Sequence, residues 1–366
     1  MKFIPGIQLN EQFYHEIVQP ILAQDFPGMA YSAALMGYGS DVLGYDTPTS
    51  MDHNWGLRLR IFLAPDDCVK YRDELQERLR HRLPHTFRGF PVGFSQPDWS
   101  DGGTQRMQAP ESGPVNHLLR AGTIREFFQS ALGVDPLGEI APMDWLTFPE
   151  EALLEIIGGK VYHDDLDLAS ARAQFAYYPR DVWLYRLAAQ WQRISQEEPF
   201  VGRAGDVGDD LGARIIAARL ARDVMRLCFL MEQRYAPYSK WFGTAFARLN
   251  CANRFTAILQ SVFSASDWRA REAHLCEAYV VLGEMHNALG ITEPVEPTIT
   301  HFFKRPYRVI SAERFVQALC AAIENEQLKT LAPIGGIDQF SDCTDLTDNV
   351  RLARRTRNLY QLEQQS

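Results

Sequence analysis

Apolar positions along the chain change their period once, and the change divides it. In the first third, alternating runs stand between helical ones. LNEQFYHEIVQPIL repeats Phe13, Ile17 and Ile21 at fourfold spacing behind Asn10, a residue suited to capping a helix, and Pro20 is expected to kink or shorten it. YSAALMG is a short apolar strand ending on Gly37. LRLRIFL alternates, with Leu57, Leu59, Ile61 and Leu63 on one face and Arg58 and Arg60 on the other. PDDCVKYRDELQERLRHRL reads as a helix capped by Asp66 or Asp67, with Cys68, Tyr71, Leu75 and Leu79 as its apolar stripe. HTFRGFPVGF and VNHLLRAGT are further strand candidates. Between them SQPDWSDGGTQRMQAPESGP is a loop long enough to carry function, and Thr123 caps the helix IREFFQSAL.

From about residue 136 strand signals stop and helical periodicity takes over. The clearest helix, DLGARIIAARLARDVMRLCFLMEQRY, places Ile216, Leu220, Val224, Leu227 and Met231 on one stripe and Arg219 with Asp223 as a surface pair. The pattern predicts an α+β class: a small mixed domain over residues 1–135, then a larger all-α helical domain over 136–366. The basic stretch DNVRLARRTRNLYQLEQQS at the end is expected to fray.

Composition narrows the setting. A length of 366 residues is enough for two cores. A net charge of −9 gives the surface as a whole no reason to bind bulk nucleic acid. The six cysteines form no C-x-x-C pair, which fits a reducing compartment. The opening residues lack the apolar run of a leader, and no stretch approaches the roughly 18 apolar residues of a membrane span. A cytoplasmic protein with no membrane partner is expected.

Candidate chemistry concentrates in GYGSDVLGYDTPTSMDHNWG. Gly39 and Ser40 form a turn whose backbone N–H groups and hydroxyl can hold a phosphate oxygen. Eleven residues intervene before Asp52-His53-Asn54. If a strand begins there, Asp52 and Asn54 project to one face and offer Mg²⁺ two oxygen ligands. A plain turn followed by a polar strand entrance is the bland alternative.

This spacing resembles the nucleotidyltransferase superfamily, which includes the kanamycin- and lincosamide-modifying enzymes. Together with YYPRDVWLYRLAAQW, QEEPFVGRAGDVGDDLG and APYSKWFGTAF, it is similar to an uncharacterised bacterial family labelled only as a domain of unknown function. The resemblance implies a nucleotidyltransferase-like mixed sheet with flanking helices. It implies a nucleoside triphosphate and Mg²⁺ bound at Gly39, Ser40 and Asp52, with carboxylates holding the metals of the transfer. Asn54 stands where the second acid belongs. The strand expected to carry the third acid, VNHLLRAGT, has none; His117 or Arg120 stands there, and Glu111 and Glu126 lie outside the strand.

The leading activity so implied is transfer of a nucleotidyl group to a hydroxyl of an unidentified small-molecule acceptor. His117, provided it faces the site, could then act as general base, because an ordinary pKa of about 6.5 leaves it mostly neutral at pH 7. The alternative is a catalytically degenerate module that binds a ligand or a protein. Arg203 and Lys240, with Tyr238, are assigned to a cleft between the domains as phosphate or acceptor contacts.

Other features receive structural readings. Asp41 and Asp46 suit turn chemistry. Asp165 and Asp167 in GGKVYHDDLDL suit a solvated loop, and Pro84 separates His81 from His85. His286-Asn287 fits a core or helix-end site as well as a cleft. No hydrolase nucleophile elbow, Walker A loop or dinucleotide fingerprint appears.

Overall fold

A computed structural model of the chain describes residues 2–109 and 112–361. It is mixed α+β, and its backbone separates into two compact units. The first comprises Met1–Glu139 and Ala152–Ala176, the second Ile140–Glu151 and Tyr177–Ser366. The sequence placed one boundary near residue 135; here a later segment returns to the first unit.

That segment carries a strand. The first unit is built on a four-stranded sheet of β1 (Tyr31–Leu35), β2 (Arg58–Leu63), β5 (Leu118–Gly122) and β6 (Lys160–Asp164), with β3 (Thr86–Phe87) and β4 (Phe90–Pro91) forming a separate small hairpin. The order across the sheet is β5-β2-β1-β6. β2 runs antiparallel to β1 and parallel to β5, and β6 runs antiparallel to β1. β6 occupies KVYHD, part of the stretch read above as a loop. It lies at the sheet edge and none of its residues is fully buried, so it lacks the apolar signature of a strand.

One face of β2 is apolar, as its alternation required. Leu57, Leu59, Ile61 and Leu63 join Leu9, Phe13, Leu75 and Leu79 in a continuous core. The N-terminal helix starts at Gly6, so Asn10 lies inside it rather than at its cap. Asn10 is fully buried; its amide donates to the Gly6 and Gly56 carbonyls and accepts from the Arg58 N–H. A widened π turn, Tyr14–Val18, precedes Pro20, which has no N–H for the carbonyl four residues back. The helix Pro65–Arg82 is capped at Ala64, not at an aspartate. Proline takes its first position because φ is preset there, which leaves Asp66 and Asp67 in the first turn. Thr123 and Glu126 form the capping box of Ile124–Leu132.

The second unit is helical. The helix Arg180–Glu197 packs on Asp210–Met231 and Glu313–Ala322, and Trp191 stacks on Phe315 at 4.3 Å. Asp223 does not pair with Arg219 on the surface. It is buried, bound by Gln190 at 2.8 Å and Arg193 at 3.0 Å, while Arg219 reaches Glu197 at 2.6 Å. That helix is covered on more than one side, so a stripe drawn for one face misses Asp223. The basic C-terminal helix is held by Asp144, which accepts from Arg354 at 2.7 Å and Arg357 at 2.8 Å. Among the described residues no helix is long and apolar enough to cross a membrane.

Candidate functional site

β1 ends where β2 and β5 begin, and the sheet's second face opens there into a cavity of about 250 Å³. Leu35, Met36, Leu59 and Leu118 supply its apolar lining; Tyr38, Arg58, Arg60 and Arg120 supply the polar one. The arginines are brought together by pleat and register. Arg58 and Arg60 share a face because they are two residues apart on a strand, and the parallel ladder sets Arg60 beside Arg120. Farther along this face Phe62 packs against Phe127 at 5.8 Å, and Phe127 also underlies the Arg60 guanidinium at 4.5 Å.

The three cations differ in their company. Arg58 is buried and ion-paired with the fully buried Asp41. Burial pushes the Asp41 carboxyl above the usual carboxylate range, and Arg58 pulls against that shift. One oxygen of Asp41 and the Nε of Arg58 are buried without a hydrogen-bond partner. Arg60 makes no ion pair among the described residues; neither does the exposed Arg120. Burial pulls the Arg60 guanidinium below its usual value. Tyr38 and Glu155 oppose that shift, while Arg58 and Arg120 add like-charge repulsion. Even so, a guanidinium keeps its proton in a protein.

The Gly-Ser turn adjoins this cavity. Gly39 has φ +123°, and a Cβ there would stand 2.1 Å from an Arg58 Nη and 2.5 Å from Asp41. Glycine is therefore needed for the turn to close over the Arg58–Asp41 pair. The Tyr38 ring lies 4.7 Å from the Arg58 guanidinium. The Ser40 carbonyl accepts from Tyr45 N–H at 2.8 Å, and the Ser40 hydroxyl has no partner among the described residues.

Residues 145–242 match a family model described as a domain of unknown function (DUF4037). The match begins after every residue lining the cavity. No curated protein matches the chain, and no solved structure does.

The other expected site residues lie elsewhere. β2 starts at Arg58, so Asp52 and Asn54 are not aligned by strand alternation. Asn54 (φ 49°) and Gly56 (φ 129°) break the extended chain before it. Asp52 ends a 3₁₀ turn, is exposed, and holds the exposed His53 at 2.9 Å. The Asn54 side-chain oxygen accepts from Gln105 N–H at 3.3 Å. Among the described residues, no group of three His, Cys, Asp or Glu is arranged to hold a metal ion. The donor set around Asp52 and Asn54 thus does not fit Mg²⁺ as the sequence pattern suggested.

His117 does not fit the role of base. Its Nδ1 accepts from Leu119 N–H at 3.1 Å and its Nε2 faces the Gln76 carbonyl at 3.2 Å, so both ring nitrogens are engaged. Burial lowers its pKa to about 4. In the second unit, Arg203 is exposed with its guanidinium 5.2 Å from the Phe200 ring, and Lys240 is exposed 5.0 Å from Trp241. Tyr238 donates its N–H to Glu151 at 3.2 Å. Glu111 lies outside the described residues, and Glu126 pairs with Arg72 at 2.5 Å.

Asp41 and Asp46 exceed turn chemistry. Asp46 accepts from Gly6 N–H at 2.7 Å and Trp55 Nε1 at 3.0 Å, tying the loop to the N-terminal helix. The sequence signal for the cavity was present but divided. Arg58-x-Arg60 was visible in one strand and Arg120 in another, and only the β2–β5 pairing joins them.

Proposed function

We propose that the chain binds a phosphate-bearing small molecule, in the first instance a nucleoside triphosphate, in the arginine-lined cavity, and that it does so as a binding module. One observation carries the reading: Arg60 and Arg120 are neighbours across β2 and β5, share a cavity with Arg58, and make no ion pair among the described residues. Like charges set side by side on adjacent strands destabilise a sheet. A phosphate offsets that repulsion and accepts bidentate, charge-assisted hydrogen bonds from the guanidinium forks. The resemblance to nucleotidyltransferases supports the same end of the sheet, because the Gly39-Ser40 turn adjoins the cavity. Among the described residues, the cavity lining holds none of the carboxylates that transfer requires, and Arg120 stands on the strand expected to carry the third acid.

Titration calorimetry of the full chain with ATP, GTP, CTP and UTP tests the reading. Binding of at least one, unchanged by Asp52→Ala and weakened by Arg120→Ala, is the expected result. Heat with none of the four, or loss through Asp52→Ala alone, counts against it. Transfer is the competing reading, favoured by the turn's position. Pyrophosphate released from a bound triphosphate in the presence of cell metabolites would establish it.

A further inference from the structure

We infer that the cavity takes its phosphate ligand free of divalent metal, so that Mg²⁺ competes with the site instead of completing it. The inference rests on the phosphate-binding reading above and goes further, to the ionic form of the ligand.

Three guanidiniums line one cavity of about 250 Å³. Asp41, the carboxylate paired with Arg58, is fully buried, and Glu155, which attracts Arg60, is not part of the lining. Asp52, the residue whose spacing suggests a metal ligand, is exposed beside His53 and is not part of the lining. The Asn54 oxygen is occupied by a backbone N–H. A hard cation seeks oxygen ligands, and this lining offers N–H donors.

Mg²⁺ on a triphosphate cancels two negative charges and occupies oxygens that the arginine forks would otherwise bond. The metal complex therefore offers this cavity a smaller charge and fewer acceptors. A two-metal nucleotidyl site behaves in the opposite way, since its carboxylates recruit the metal with the ligand.

The experiment is a calorimetric titration of the full chain with ATP and, separately, with tripolyphosphate. Each is run in EDTA and in excess Mg²⁺ at matched ionic strength. Binding about tenfold or more tighter in EDTA is expected for both ligands, on the scale of one charge-assisted hydrogen bond lost. Arg120→Gln, at an exposed position outside the core, should narrow the EDTA-to-Mg²⁺ difference, and Arg60→Met should do the same. Tighter binding in Mg²⁺ overturns the inference and leaves the phosphate-binding reading standing. Binding of neither ligand in either buffer overturns both. Equal binding in the two buffers also overturns the inference.

Discussion

Arg60 on β2 and Arg120 on β5 are register partners in a parallel ladder, on the face that opens into the cavity, and neither is ion-paired among the described residues. Such an arrangement has a cost in the ligand-free chain and a use in the liganded one. Stability and binding should therefore respond to Arg120 in opposite directions. Arg120→Ala is expected to stabilise the ligand-free chain by up to roughly 1 kcal/mol, the scale of a cross-strand pair. It is expected to weaken phosphate binding about tenfold, the scale of one charge-assisted hydrogen bond. Urea unfolding in phosphate-free buffer and calorimetry measure the two effects. A variant that loses stability and keeps affinity would show that Arg120 serves the fold.

The Arg58–Asp41 pair anchors the turn. Removing one partner strands a buried charge, so Asp41→Ala should cost about 3–5 kcal/mol in denaturant unfolding. Gly39→Ala should cost about 1–3 kcal/mol, because φ +123° strains any side chain and the added Cβ meets Arg58. An unfolding midpoint for Gly39→Ala equal to that of the wild type would refute this account of the turn.

Asp52 carries the opposite expectation. It is exposed at the end of a 3₁₀ turn with a partner that is itself exposed, so Asp52→Ala should change stability by no more than about 0.5 kcal/mol. Chemical denaturation reads this directly.

Much of the first unit was legible from sequence, and the reasons are physical. LRLRIFL buries one face and is open on the other, so period-two alternation is written in its residues. β6 was not legible, because an edge strand with no fully buried residue looks like a polar loop. The expected Asp52–Asn54 alignment failed because the backbone turns through positive φ at Asn54 and Gly56 before β2 begins. The cavity was beyond reach because it depends on pairing two strands that stand far apart in the chain.

His117 gives a dependence on pH. Burial lowers its pKa to about 4 against an ordinary 6.5, so the folded chain favours the neutral ring. The stability this contributes is complete above pH 6.5 and is lost as pH falls toward 4. Glu151 and Glu198, each pushed up to about 7 by burial, act in the opposite sense, and so the variant must be compared with the wild type. His117→Gln should be less stable than wild type at pH 7, and the gap should shrink between pH 6.5 and 4. A gap that stays constant across this window would contradict the assignment.

The central claim is that the arginines bind phosphate, and Arg60→Met tests it most directly. Methionine keeps an apolar stem over Phe127 while removing the guanidinium from the middle of the cavity. Calorimetry with the tightest-binding nucleoside triphosphate, on wild type and on a variant of unchanged circular dichroism, is the measurement. Affinity lower by about 10- to 100-fold is the expected result, corresponding to the loss of one or two charge-assisted hydrogen bonds. Equal affinity in the two proteins, or no binding by the wild type, would contradict it.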